Sequence, residues 1–136
     1  MITTEDGAGW LAFLRSLVAR GLSGVQLVIS DAHEGLKAAI ESVLAGASWQ
    51  RCRTHAMRIL LTRVPKASQA MVATLVRTIF EQPDSKQVWA QHARVVEQLA
   101  DRFPDAANML TDMAGDLLAF TAFPVEHWTA IRSNNP

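Results

Sequence analysis

A short apolar run that ends in an aspartate constrains the fold of this chain more than any other feature. Residues 25–29 are rich in β-branched side chains and show no helical period, so they predict a buried strand that ends at Ser30 and Asp31. A helical pattern follows in residues 34–44, and residues 48–52 predict a second short strand. A strand–helix–strand unit of this kind is normally parallel and right-handed.

The rest of the chain predicts helices only. Apolar residues recur at helical spacing in residues 10–18 and again through residues 54–123. The first of these helices is expected to end at Arg20 and Gly21, because a basic residue followed by a glycine is a common helix end. Prolines, which lack an amide hydrogen and clash with the preceding turn, should end these helices. They are Pro65, Pro83, Pro104 and Pro124. Asp105 is expected to cap the helix after Pro104. The predicted fold class is therefore α/β and mostly helical, with a two-stranded sheet so small that further strands are expected from a partner or from outside this sequence.

Composition excludes several classes of protein. With 136 residues, 49% of them hydrophobic and 19% charged, the chain is expected to fold around a core rather than remain disordered. No apolar run reaches the roughly 18 residues that a membrane span needs, and the N-terminus is acidic where a signal peptide would be basic. We therefore expect a cytoplasmic protein without a membrane segment. The single cysteine, Cys52, excludes an internal disulfide.

Charge is segregated along the chain although its formal net value is zero. Residues 49–66 carry +5 with no acid, whereas residues 81–126 hold eight acids against three bases, a net −5. The basic residues of the first segment are Arg51, Arg53, Arg58, Arg63 and Lys66. A local basic strip fits a face that meets a phosphate backbone, and it equally fits an ordinary solvated face.

Asp31 is the leading candidate for chemistry. It directly follows a strand and precedes a helix, which places its carboxylate at the carboxyl end of the strand, where α/β folds hold ligands and catalytic groups. The alternative is structural: Asp31 as the N-cap of the next helix, with Glu34 three residues later completing a capping box. The local pattern favours the cap, and both interpretations stay open.

Cys52 and His55 form a C-x-x-H pair. A zinc site needs about four ligands and no second pair stands at a suitable spacing, so zinc is not expected. A Cys–His nucleophile is conceivable, but a buried thiol beside an imidazole that caps or binds a carbonyl is the more common use of this spacing.

Single histidines and tryptophans give weaker signals. His33, His92 and His127 are interpreted as helix-surface or satisfied core positions. Three of the four tryptophans fall on apolar patterns, where packing is the usual role. Trp128 does not, and it lies close to Arg132 in a polar stretch, so these two residues are candidate DNA contacts.

The order of these signals resembles the bacterial Mutator-type transposase family of insertion sequences. The resemblance rests on three blocks: residues 27–37, which contain Ser30-Asp31-Ala32-His33-Glu34-Gly35-Leu36; residues 49–58, which contain the C-x-x-H pair; and residues 123–136. It covers essentially the whole chain.

The resemblance implies a ribonuclease-H-like core in which three carboxylates hold two Mg²⁺ or Mn²⁺ ions for DNA strand cleavage and transfer. Asp31 matches the second carboxylate, and Cys52 and His55 match the family's C-x-x-H pair. Residues 1–64 then form part of the core, residues 65–123 a helical insertion, and residues 124–136 the return to the core. Transposon ends and target DNA are the implied partners.

Departures from the family pattern set the functional expectation. The family's first aspartate falls before this sequence and its glutamate after it, so Asp31 is the one matched carboxylate. Ile59 also stands where the family usually has asparagine. We therefore expect a transposase fragment that is inactive alone, binds no metal by itself, and self-associates or pairs with full-length transposase. The alternative is a non-catalytic module that binds DNA or full-length transposase and regulates transposition.

Overall fold

A computed structural model describes residues 7–128 and residue 131. The chain divides into two compact units, Met1–Cys52 and Arg53–Pro136. Within the described residues the fold is mostly helical with one small parallel sheet, as the sequence predicts. The ribonuclease-H-like identity of the sheet and the boundaries after residues 64 and 123 stay predictions. No helix in the described part of the chain combines the length and the hydrophobicity that crossing a bilayer requires.

The first unit contains helix α1 (Gly7–Ala19), strand β1 (Leu27–Ser30), helix α2 (Glu34–Val43) and strand β2 (Ser48–Arg51). The strands are parallel, with Leu27 opposite Ser48 and Ser30 opposite Arg51, so the predicted strand–helix–strand unit is confirmed. Pairing extends one step at each end through backbone hydrogen bonds, Ser48 N–H to Gln26 O and Cys52 N–H to Ser30 O, both 2.8 Å.

A small core fixes α2 against α1. Leu14 of α1 is buried with Ala39 and Ile40 of α2. Partly buried apolar side chains pack around these three: Trp10, Leu11, Leu17, Val28, Leu36, Val43, Leu44 and Trp49. The predicted apolar face of α1 is therefore confirmed only in part: Trp10, Leu11, Leu14 and Leu17 turn toward the core of this unit, whereas Phe13 and Val18 are exposed.

Helix α1 ends at the predicted glycine. Gly21 has a φ of +108°, and two hydrogen bonds close the turn: Gly21 N–H to Val18 O and Leu22 N–H to Leu17 O, both 3.0 Å. This pair of bonds is a Schellman motif, which requires the left-handed conformation that glycine adopts without strain.

The second unit is a helical array. Its helices are α3 (Arg53–Leu61), α4 (Gln69–Phe80), α5 (Ser85–Ala100), α6 (Pro104–Asp112) and α7 (Ala114–Leu117), with short 3-10 helices at Lys66–Ser68, Ala119–Ala122 and Val125–His127. A continuous core runs through them, and its largest fully buried side chains include Leu60, Ile79, Leu99, Leu110, Leu118 and Trp128. No strand follows β2 in the described residues, in agreement with the sequence.

Two details of the helical array differ from expectation. Pro104 begins α6 rather than only ending the preceding helix, because the first helical position needs no amide hydrogen and suits the fixed φ of proline. The N-cap is Phe103, so Asp105 lies in the first turn and is not the predicted cap. The apolar pattern that continues toward Pro124 is distributed over α6, α7 and a 3-10 helix.

Candidate functional site

Asp31 stands immediately after β1, at the carboxyl end of the sheet, and its side chain is exposed. Its backbone is held in place by neighbours: its carbonyl oxygen accepts from His33 N–H at 2.9 Å and from Ser30 Oγ at 3.0 Å. The strand end is further anchored because Ser30 O accepts the Cys52 N–H. The position of Asp31 is therefore the one predicted for a catalytic or ligand-binding carboxylate.

The helix cap, however, is His33 and not Asp31. His33 has extended backbone angles, φ −105° and ψ 120°, and its Nδ1 accepts from Leu36 N–H at 3.1 Å. The capping interpretation of Asp31 is wrong because α2 begins at Glu34, two residues further on than that interpretation needs. A neutral imidazole can take this role, since an unprotonated ring nitrogen is a hydrogen-bond acceptor. The carboxylate of Asp31 is not committed to that cap.

Trp49 of β2 lies beside the end of β1, and its ring is contacted by one cation from α2 and one from β2. The indole N–H of Trp49 donates to Ser30 Oγ at 2.7 Å. Lys37 Nζ of α2 lies 4.6 Å from the Trp49 ring centroid, and Arg51 Cζ of β2 lies 5.8 Å from it. Both distances are within the range of cation–π attraction. Trp49, Lys37 and Arg51 are all partly buried.

The donor set does not by itself fit a pair of divalent ions. Such a site needs several hard oxygen ligands converging on the metals. Residues 7–128 and 131 contain no group of three or more histidine, cysteine, aspartate or glutamate side chains placed to hold a metal ion. Asp31 therefore supplies a single carboxylate, and the described residues do not add the further ligands that a two-metal site needs.

The two residues of the C-x-x-H pair belong to different elements. Cys52 directly follows β2 and is a partly buried free thiol. His55 lies in the first turn of α3 and is also partly buried. The backbone N–H of Cys52 continues the strand pairing, which gives the residue a structural role at the end of the sheet.

The basic segment separates into two kinds of residue. Arg51 contacts Trp49 in the first unit, and Arg53 stacks on Phe80 in the second, with Cζ 4.6 Å from the ring centroid. The remaining three side chains are exposed: Arg58, Arg63 and Lys66. These three cations are accessible to solvent, whereas the guanidinium of Arg53 packs on the Phe80 ring.

Trp128 has a packing role in this structure, which differs from our expectation of a DNA contact. Its side chain is 1% exposed, its ring meets Phe120 edge-on at 5.0 Å between centroids, and its indole N–H donates to Phe123 O at 3.0 Å. A ring buried in this way offers no face to a base. The predicted contact at Arg132 lies outside the described residues.

The second unit also carries an open apolar groove of about 720 Å³ between α4 and α5. Its lining includes Met71, Leu75 and Phe103, and Arg102 adds a charge to it. Among the residues that the structure describes, no predicted site residue lines this groove.

Sequence reasoning missed four residues of the site around Asp31: Ser30, His33, Lys37 and Trp49. Lys37 and Trp49 come together only through the packing of α2 on the sheet, and no local spacing signals that contact. His33 was detectable in principle, because it stands directly before the first residue of the helical pattern.

The whole chain matches one protein family. The family model described as "Transposase, Mutator family" covers residues 1–136. The chain belongs to the Mutator family of transposases.

Individual relatives agree with that assignment. The chain is 56% identical over 134 residues to the transposase for insertion sequence element IS1081 of Mycobacterium tuberculosis, covering 98% of this chain and 32% of the relative. It is 32% identical over 135 residues to the ISRM5 transposase of Rhizobium meliloti, covering 99% and 34%. It is 33% identical over 133 residues to the IS256 transposase of transposon Tn4001 in Staphylococcus aureus, covering 96% and 34%. The chain thus spans about a third of the length of these relatives.

Proposed function

We propose that this chain is the part of an insertion-sequence transposase that carries the second of three catalytic carboxylates, Asp31, within a ribonuclease-H-like core. The complete enzyme would cut and join DNA strands at transposon ends and target sites, using Mg²⁺ or Mn²⁺. The observation that carries the proposal is the exposed carboxylate directly after a parallel strand, where α/β folds place catalytic groups.

The family assignment supports this proposal, because the relatives that match are named transposases of insertion sequences. The chemistry of the residue type supports it as well. Carboxylate oxygens are the ligands that Mg²⁺ and Mn²⁺ prefer, and two such ions activate the attacking group and stabilise the leaving oxygen in phosphoryl transfer. A single carboxylate does not hold two ions, so we expect the chain to be inactive alone.

Charge substitution at Asp31 tests the catalytic role. In the complete transposase that contains this chain, Asp31→Asn should lower metal-dependent cleavage of transposon-end DNA by on the order of 100-fold or more, since it removes one anionic ligand and keeps the side-chain size. Glu34→Gln is the matched control, because Glu34 is an exposed acid three residues away and its substitution should leave the cleavage rate at the wild-type value. Equal rates for Asp31→Asn and wild type would remove Asp31 from the catalytic set.

A second measurement tests inactivity. The 136-residue chain alone should leave transposon-end DNA uncut in Mg²⁺ or Mn²⁺. Robust cleavage that disappears in Asp31→Ala would contradict this part of the proposal, since it would mean that the chain assembles a working site without the other carboxylates.

The regulatory alternative rests on a different observation. Arg58, Arg63 and Lys66 are exposed in the second unit, so the chain can offer cations to DNA without taking part in chemistry. Under this alternative the chain, or a self-associated form of it, binds DNA or full-length transposase and alters transposition. Co-elution with full-length transposase would favour this alternative. So would salt-sensitive DNA binding that is lost when Arg58, Arg63 and Lys66 are all replaced by glutamine. If neither is observed, only the first proposal remains.

A further inference from the structure

The second unit contains a feature that the proposed function does not use, the open groove between α4 and α5. Its volume is about 720 Å³, and most of its lining is apolar. Met71 belongs to that lining and is 50% exposed, more than any other large hydrophobic side chain in the described residues. An exposed methionine at an apolar groove is a surface typical of protein–protein contacts.

The groove stays apolar although two threonines line it. Thr74 Oγ1 donates to Ala70 O at 3.0 Å, and Thr78 Oγ1 donates to Leu75 O, so both hydroxyl hydrogens are used inside α4. Thr78 Oγ1 also accepts from Gln91 Nε2 at 2.9 Å. A partner that covers these threonines therefore buries hydroxyls that already have hydrogen bonds, which removes the usual cost of burying a polar group.

The two walls of the groove differ in charge. The α4 wall, residues 70–78, carries one charged residue, the exposed Arg77. The α5 wall, residues 97–103, carries two exposed acids and one exposed base: Glu97, Asp101 and Arg102. Arg94, one turn earlier on α5, donates to Gln91 Oε1 of its own helix at 2.9 Å. The α4 wall is therefore net positive and the α5 wall net negative.

A patch with these properties is complementary to itself. In a two-fold interface the same patch is present on both sides, so each wall meets its complement only if the patch carries both members of each contact. When the two-fold axis runs parallel to the groove, the rotation places α4 of each copy over α5 of the other. The positive wall then faces the negative wall twice, and Met71 of each copy lies over the apolar groove of its partner.

We propose that the groove between α4 and α5 is a self-association surface, at which two copies of the chain pair across this two-fold axis with Met71 of each copy in the groove of the other. The inference does not depend on the proposed function, because it needs neither DNA nor Asp31. It also differs from strand pairing at the edge of the small sheet, since the contact lies entirely in the second unit. One exposed methionine and a few surface charges make a weak dimer.

Sedimentation velocity of the 136-residue chain tests the pairing. The sedimentation coefficient should rise from the monomer value toward the dimer value between about 1 and 500 µM, as for a weak complex. Met71→Gln keeps the length of this exposed side chain and removes its apolar contact, so it should weaken dimerisation by about tenfold. Val125→Gln is the matched control, because Val125 is 44% exposed in the same unit but does not line the groove; its dimerisation constant should stay within about twofold of wild type.

A charge exchange tests the orientation of the two copies. Arg77→Glu and Glu97→Lys each place like charges across the interface and should weaken dimerisation by about fivefold. The variant that carries both substitutions restores opposite charges and should regain most of the wild-type affinity. Thermal unfolding of each variant at low concentration checks that the monomer is folded. Two single losses without recovery in the double variant would overturn the two-fold arrangement.

The unmutated chain provides a test that is independent of folding in the variants. The Met71 methyl resonance should shift as the chain concentration rises, whereas shifts confined to the first unit would assign self-association to the sheet edge and overturn the proposal. A chain that remains monomeric at about 500 µM would overturn it as well. So would equal losses of affinity in Met71→Gln and Val125→Gln, because the groove would then contribute nothing specific.

Discussion

Trp49 of β2 donates its indole N–H to Ser30 Oγ of β1 at 2.7 Å, and Ser30 Oγ in turn donates to the carbonyl oxygen of Asp31. The side chain of one strand thus fixes the backbone at the end of the other. Partial burial shields this hydrogen bond from much of the competing water. The bond also links the backbone beside Asp31 to the Trp49 ring, which Lys37 and Arg51 contact.

A double-mutant cycle measures this link. Ser30→Ala should lower the free energy of unfolding by about 1 kcal/mol because the indole N–H loses its acceptor. Trp49→Phe should cost more because contacts of the larger ring are lost as well. The coupling between the two substitutions, measured by urea denaturation, should be about 1 kcal/mol. Strictly additive effects would show that the hydrogen bond contributes nothing to stability.

The cap assignment gives a prediction that separates His33 from Asp31. His33→Ala should lower the free energy of unfolding by about 0.5–2 kcal/mol, since the Leu36 N–H loses its partner at the start of α2, and His33→Asn should recover most of that loss. Asp31→Ala should lower it by less than His33→Ala does, because His33 and not Asp31 caps α2. A larger loss from Asp31→Ala than from His33→Ala would reverse the assignment.

Glycine at the end of α1 should be hard to replace. Gly21→Ala forces an alanine to a φ of +108° and should cost about 1 kcal/mol or more in thermal or urea unfolding. Gly46→Ala is the control: a Cβ there meets nothing within 4 Å, and Gly46 does not have a positive φ, so little change is expected. Equal losses of unfolding free energy at both positions would mean that the turn after α1 does not depend on the left-handed conformation of Gly21.

Trp128 should behave as a core residue. Trp128→Ala is expected to lower the free energy of unfolding by about 3–5 kcal/mol, as for other large buried aromatics, and the milder Trp128→Phe allows DNA binding to be measured in a folded chain. Trp89→Phe, at a tryptophan that is 41% exposed, should cost less than about 1 kcal/mol. A marked loss of DNA affinity in Trp128→Phe with unchanged stability would restore the DNA-contact interpretation.

The strand–helix–strand unit could be predicted because each of its parts has a local signal. Residues 25–29 lack a helical period, the next segment has one, and an aspartate follows the strand directly. Gly21 was equally clear, since a basic residue followed by glycine is a common helix end. Predictions of this kind depend only on residues that are adjacent in the sequence, so they do not require knowledge of the tertiary structure.

The rest of the site could not be predicted in this way. The choice between Asp31 and His33 as the cap depends on the backbone angles at residues 31–33, and both side chains can accept a hydrogen bond. The meeting of Lys37 with Trp49 depends on how α2 packs over the sheet, twelve residues away in sequence. Pro104 was interpreted as a helix end although proline serves equally well as a helix start, and the pattern alone did not distinguish them.

Cys52, the one cysteine in the sequence, gives the chain a built-in reporter of strand separation. Its amide closes the last hydrogen bond between the two strands, and its thiol is partly shielded. The rate at which a thiol reagent modifies it would therefore follow how often the sheet opens at the end that carries the carboxylate, without any added label. Slower modification on binding of an oligonucleotide would show that the nucleic acid holds this end of the sheet shut.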